Sequence, residues 1–139
     1  MRAAAAITGL IAGEVDMMFK NLPSALGQIQ GGTVKALAVT TRQRSKALPS
    51  TPTLIEAGVK DFDVSSFYGV AAPAGTPADV TARMETALQT VLKMADVSQA
   101  MESRGADVGL LSASVMGTFM GADAAKWKRV ADFAKITLG

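Results

Sequence analysis

Apolar and polar positions change period several times along the chain, and each change marks an element. Residues 3–12 predict a helix with Gly13 as its stop. Val15 to Phe19 is a short apolar run between Gly13 and Asn21, the pattern of a buried strand. Asn21-Leu22-Pro23-Ser24 then opens a second helix. Asn is a favoured N-cap and Pro is tolerated only in a first helical turn. Leu22, Leu26 and Ile29 fall on one face of it, and Gly31-Gly32 ends it. Val34 to Val39 reads as the next strand. The opening pattern is therefore helix, strand, helix, strand, and its later part is a βαβ unit that implies a parallel sheet.

Residues 41–52 are polar and contain Pro49 and Pro52, so they predict a surface loop. Thr53 and Glu56 have the spacing of a capping box opening a one-turn helix that Gly58 ends. Phe62 to Pro73 reads as extended. Thr76-Pro77-Ala78-Asp79 predicts a helix start with Thr76 as the cap, and Val80, Met84, Ala87, Leu88 and Val91 follow at helical spacing, so that helix is expected to pack one face on a core. Asp96 is expected to cap a short helix ending at Gly105, and Val108 to Leu111 to form a strand. Ser112 is expected to cap a long final helix bearing Phe119, Trp127, Val130 and Phe133. Gly117 and Gly121 each cost that helix about 1 kcal/mol relative to Ala, which weakens its first half. The result is an α/β architecture with a helical C-terminal third and a shift in composition near residues 41–68.

Composition narrows the functions available. Of 139 residues, 49% are hydrophobic and 19% charged, the balance of a folded chain. There is no cysteine and no histidine. That excludes disulfides, thiolate chemistry, Ser-His-Asp triads and nearly every zinc site. A chain without cysteine is compatible with an oxidising compartment without requiring one. The net charge is +2 with no block of like charges, which argues against nucleic acid as a partner. No segment approaches the roughly 18 consecutive apolar residues of a membrane span. The run from Met1 to Gly13 has one basic residue ahead of apolar ones, but Thr8 and Gly9 interrupt it and no cleavage site follows. It reads as an amphipathic helix rather than a signal peptide.

Two segments are candidates for a binding site. In Phe19-Lys20-Asn21-Leu22-Pro23-Ser24 a strand end feeds a helix N-terminus, which presents unpaired N–H groups and a positive dipole end suited to carboxylates or phosphates. Ligands of open α/β sheets sit at the carboxyl ends of strands. Asn21 and Ser24 would add side-chain hydrogen bonds and Lys20 a charge. The same residues also suit a plain N-cap beside an exposed lysine. Ser65-Ser66-Phe67-Tyr68 sets hydroxyls beside aromatic rings and suits either a mixed pocket lining or a half-buried strand. The carboxylates offer less. Asp16 lies in an apolar run and reads as the polar edge of a strand. Asp61 and Asp63 share one strand face but are too few to hold a metal. Arg42, Arg44 and Lys46 read as a solvated basic loop. The methionines read as packing. No cofactor is implied.

Several motifs in register resemble the Bug-type solute receptors of tripartite tricarboxylate transporters. They are Gly13-Glu14-Val15-Asp16-Met17-Met18-Phe19, Asn21-Leu22-Pro23-Ser24-Ala25-Leu26 and Lys35-Ala36-Leu37-Ala38-Val39-Thr40, then Arg44-Ser45, Leu48-Pro49, Pro52-Thr53 and Glu56-Ala57-Gly58 at that family's usual spacing. Ser65-Ser66-Phe67-Tyr68-Gly69-Val70 and Ala72-Pro73-Ala74-Gly75-Thr76-Pro77 follow, and Trp127 stands where the family's last helix carries a tryptophan. Phe67 replaces the family's usual tryptophan, and Lys20 stands where an aspartate or small residue is common.

The resemblance implies part of a type II periplasmic-binding-protein fold: a second-lobe α/β segment over residues 1–67, then a hinge strand and C-terminal first-lobe helices over 68–139. It implies a non-enzymatic receptor that captures small carboxylates or related metabolites in the periplasm and passes them to a membrane permease. Asn21, Leu22, Pro23, Ser24, Ser65, Ser66 and Tyr68 would contact the ligand, with no metal and no cofactor. Family members are longer, and Met1 would then be an internal start or the start of a truncated frame. An incomplete core would expose apolar surface and favour self-association. Expressed as written, the chain would stay in the cytoplasm, and a cytoplasmic regulatory or protein-interaction domain is the competing reading.

Overall fold

A computed structural model of the chain describes residues 2–136, with side chains from residue 6 onward. Met1, and with it the question of an internal start, lies outside the described residues. Five helices follow in order: α1 (Arg2–Ile11), α2 (Leu22–Gln30), α3 (Ala78–Leu92), α4 (Ala95–Glu102) and α5 (Ala113–Phe133). No helix among the described residues is long and apolar enough to cross a membrane.

The helix ends follow the local chemistry. Gly13 has φ +77 and closes α1, with the Glu14 amide donating back to Gly9 O at 2.9 Å. Gly32 at φ +71 does the same for α2, where the Thr33 amide donates to Gln28 O at 3.0 Å. Ser112 caps α5 as expected, accepting from the Val115 amide at 3.4 Å. Helix α5 runs unbroken through Gly117 and Gly121. Twenty-one residues supply enough ladder bonds to absorb two weak positions.

Two expected caps are displaced. The Thr76 hydroxyl donates to Pro73 O at 2.8 Å, building a turn rather than a cap, and α3 starts two residues on at Ala78. Met94 is the N-cap of α4, and Asp96 lies inside its first turn, where a carboxylate favours the positive dipole end.

The expected strands are extended segments that lack the ladder of a sheet. Among the described residues the β pairing is one isolated parallel bridge, Val39 to Thr53. The Val39 amide donates to Pro52 O at 2.8 Å, the Leu54 amide donates to Val39 O at 2.9 Å, and the Val64 amide donates to Thr40 O at 3.0 Å. Val39 and Thr40 thus join residues 52–54 and 64. Val34, Ala36 and Ala38 are more covered than Lys35 and Leu37, so the strand period is present. An extended segment becomes a strand only when a neighbour takes its backbone groups. Residues 15–19, 34–38, 65–73 and 108–111 take no part in that β pairing.

The chain divides into two compact units: Met1–Ala72 with Lys93–Val108, and Pro73–Leu92 with Gly109–Gly139. Helix α4 therefore groups with the N-terminal unit, where a single division after residue 67 would have put it with the C-terminal residues. The first unit holds the buried apolar residues, Ala25 and Leu26, and the buried Thr51 and Thr53. Gly105 has φ +80, and a Cβ there would lie 2.8 Å from Leu22 Cγ and 3.5 Å from Leu26 Cδ2, so the end of α4 abuts α2 closely.

In the second unit neither α3 nor α5 buries a residue. The Glu85 carboxylate accepts from the Ala113 amide at 3.2 Å, tying α3 to the start of α5. The α3 face expected to pack, Val80, Met84, Leu88 and Val91, is 38–47% exposed, whereas Thr81, Glu85 and Gln89 on another face are the more covered. The apolar stripe is present and stays half-exposed.

Candidate functional site

Asn21 is the N-cap of α2 with φ −63 and ψ 126, yet its side chain makes no cap hydrogen bond. The local sequence explains this. Pro23 has no amide hydrogen to offer in the first turn. The Ser24 amide donates to the Asn21 backbone oxygen at 3.0 Å, and the Ser24 hydroxyl donates to the same oxygen at 2.8 Å. The Asn21 carboxamide is left to reach elsewhere, and its Oδ1 accepts from Ser66 Oγ at 2.9 Å.

That bond joins the two segments singled out in the sequence across 45 residues. A second contact runs beside it. The Phe19 and Phe62 rings stack with centroids 6.4 Å apart and an interplanar angle of 15°. Residues 19–21 thus run alongside residues 62–66, with an apolar clamp at one end and a polar one at the other. Sequence reasoning missed the Phe pair, because each ring looked like an ordinary strand residue and the partner was 43 positions away. Leu22 at the start of α2 is held from the other side by the close approach of Gly105.

The remaining hydrogen-bonding capacity is specific. Ser24 and Ser66 have both committed their hydroxyl hydrogens to Asn21. The Leu22 amide, at the first helical position, has no partner within the helix. Among the described residues no acceptor takes the Asn21 Nδ2 hydrogens, and Ser65 and Tyr68 make no side-chain hydrogen bond; Tyr68 is 74% exposed. Helix α2 has no acidic residue in its first turn to neutralise the positive end of its dipole. The exposed groups are therefore mostly donors, the set that suits a carboxylate. The structure links Asn21, Ser24 and Ser66, and it shows no side-chain hydrogen bond joining Ser65 or Tyr68 to them. Two shallow concavities lie elsewhere, one along Ala82, Arg83, Thr86 and Ala87 and one among Gln30, Lys46, Gln99 and Glu102.

Several of the acidic and basic residues form ion pairs. Arg42, Arg44 and Lys46 are exposed, as a solvated basic loop implies, and each also meets a carboxylate: Asp63 at 3.0 Å, Glu56 at 2.9 Å and Glu102 at 2.7 Å. Arg44 also donates to Pro49 O at 3.2 Å. The bonds from Arg44 and from the Thr53 amide hold the Glu56 carboxyl below its ordinary range; Glu56 in turn raises Arg44, and Glu102 raises Lys46. Asp61 sits in a turn at φ +56 while Asp63 pairs with Arg42, so the two are not a matched pair on a strand face. Asp16 is exposed. No cluster of three metal-ligating side chains occurs among the described residues.

Comparison with known proteins bears on the whole chain. The profile of the tripartite tricarboxylate transporter family receptor matches residues 2–136. A UPF0065 protein from the TAR-I ttuE-ttuC' intergenic region of Agrobacterium vitis is 38% identical over 100 residues, which are 72% of this chain and 29% of that protein. The R. palustris protein Rpa4515, solved with adipate, superposes with a TM-score of 0.86 at 31% identity over 96% of this chain and 44% of its own. The periplasmic binding protein BugD gives 0.82 at 31% identity, over 96% of this chain and 46% of its own. This chain thus spans less than half the length of each of these three proteins, and its backbone is part of the periplasmic-binding α/β fold of the two solved ones. On the profile match across nearly every residue, the chain belongs to the tripartite tricarboxylate transporter receptor family.

Proposed function

We propose that this chain serves in a solute receptor that captures small carboxylates without transforming them. The observation that carries the reading is the Ser66–Asn21 hydrogen bond, which draws the two candidate segments together at the N-terminus of α2. The donors left over there, Asn21 Nδ2 and the Leu22 amide, suit carboxylate oxygens, and Ser65 and Tyr68 lie on the second segment with uncommitted hydroxyls. Pro23 and Ser24 shape the turn that presents them. The adipate held by the R. palustris relative supports a dicarboxylate as the ligand class.

The receptor role extends to two further proposals supported by family membership. The ligand is handed to a membrane permease, and the setting is the periplasm. Residues 1–67 serve the second lobe and residues 68–139 the hinge strand and the helices of the first, with α4 packing on the second-lobe side. Lobe closure would trap the solute. The half-exposed apolar stripe of α3 supports self-association of the chain on its own.

A thermal melt followed by far-UV circular dichroism, with and without adipate, tests the reading. A ligand at 100 times its Kd stabilises by about 2.7 kcal/mol. A raised midpoint supports the proposal, and an unmoved midpoint at saturating adipate removes this dicarboxylate from it.

A further inference from the structure

A carboxamide has one acceptor oxygen and two N–H donors. At a helix N-cap the oxygen ordinarily accepts from the second or third amide of the helix. Here the second position is Pro23, which has no amide hydrogen, and the third amide, that of Ser24, is turned to the Asn21 backbone oxygen at 3.0 Å. Asn21 is therefore an N-cap whose side chain is free of capping duty, and its orientation has to be set from outside the helix.

Ser66 supplies that setting. Its hydroxyl donates to Asn21 Oδ1 at 2.9 Å from 45 residues away. With the oxygen fixed on Ser66, the Nδ2 hydrogens lie on the opposite side of the carboxamide, and among the described residues nothing accepts them. Were the Ser66 bond absent, the carboxamide would be free to turn and offer its oxygen instead, which would repel a carboxylate.

We infer that Ser66 is a positioning residue: it does not hold the ligand but fixes Asn21 so that its side chain turns its donors, not its oxygen, to the site. The selection of acceptor-rich ligands over ammonium-bearing ones is thus set by a residue of the second segment acting through the first. This rests on the proposed carboxylate site and adds the division of labour within it.

The test is calorimetric titration of the full chain with adipate at neutral pH. A neutral hydrogen bond contributes about 0.5–1.5 kcal/mol, so Ser66→Ala is expected to weaken adipate binding about three- to tenfold, and Ser66→Thr, which keeps the hydroxyl, to restore it. In an Asn21→Ala background the Ser66→Ala change should cost nothing further. The Asn21 side-chain amide resonances should also shift in Ser66→Ala, which checks the contact without ligand. An additive loss in the double variant overturns the inference, because Ser66 would then touch the ligand itself. Unchanged binding in Ser66→Ala overturns it as well while Asn21→Ala still weakens binding. If Asn21→Ala has no effect, or the unaltered chain binds no adipate, the functional reading fails and this inference with it.

Discussion

Thr53 and Glu56 exchange hydrogen bonds: the Thr53 amide donates to Glu56 Oε2 at 2.7 Å, and the Glu56 amide donates to Thr53 Oγ1 at 3.0 Å. Thr53 is 2% exposed and forms the bridge to Val39. The capping box therefore sits at the one point of β pairing in the described residues, and Arg44 clamps it from the preceding loop. Thr53→Ala removes the cap oxygen and is expected to cost about 1 kcal/mol, within a range of roughly 0.5–2, read by urea denaturation followed by circular dichroism.

The same cluster gives a pH dependence. The folded state holds the Glu56 carboxyl below its unfolded value near 4.5, chiefly through the Arg44 side chain and then the Thr53 amide. A depressed carboxyl binds fewer protons when folded than when unfolded. Its contribution is therefore fully present above pH about 4.5 and is lost as pH falls through the folded value. Stability should fall on acidification below that point, and Glu56→Gln should flatten this part of the profile. An unchanged acid limb in Glu56→Gln would show that other carboxylates govern it.

Gly105 and Gly32 both have positive φ, +80 and +71, but only Gly105 faces a neighbour where a Cβ would go, at 2.8 Å from Leu22 Cγ. An L-residue in the left-handed region costs about 1–2 kcal/mol. Gly32→Ala should cost about that much alone, and Gly105→Ala should cost more, because Leu22 and Leu26 must also give way. Equal losses in the two variants would mean that α2 shifts freely against the end of α4.

The half-exposed stripe on α3 predicts association. Val80, Met84, Leu88 and Val91 are 38–47% exposed on one helix. Removing such surface from water is favourable. Sedimentation of the isolated chain should show mass rising with concentration, and Met84→Gln with Leu88→Gln should lower that tendency. A strictly monomeric chain at high concentration would contradict it.

Helices and their stops were readable because their signals are local. Gly13, Ser112 and the Thr53–Glu56 spacing each act within four residues and appear where the sequence placed them, although residues 54–58 form a turn rather than the expected one-turn helix, and Asn21 stands at the start of α2 without a side-chain cap bond. The Thr76 cap is displaced because Thr76 closes a turn back to Pro73 O and the helix begins only at Ala78, an offset that spacing alone does not reveal. Strand content was readable only as period. The alternation over residues 34–38 is present, but a ladder belongs to two segments at once. The candidate site followed the same rule. Asn21 and Ser66 were each visible as polar residues at suggestive places, while their bond, the Phe19–Phe62 stack and the Lys46–Glu102 pair depend on the path of the chain between them.

Titrating the chain with adipate and, separately, with its uncharged diamide tests most directly whether this is a carboxylate site built on Asn21. Saturable binding of adipate, lost in Asn21→Ala, with little or no binding of the diamide is the predicted result. Equal affinity for the two compounds, or adipate binding untouched by Asn21→Ala, would contradict it.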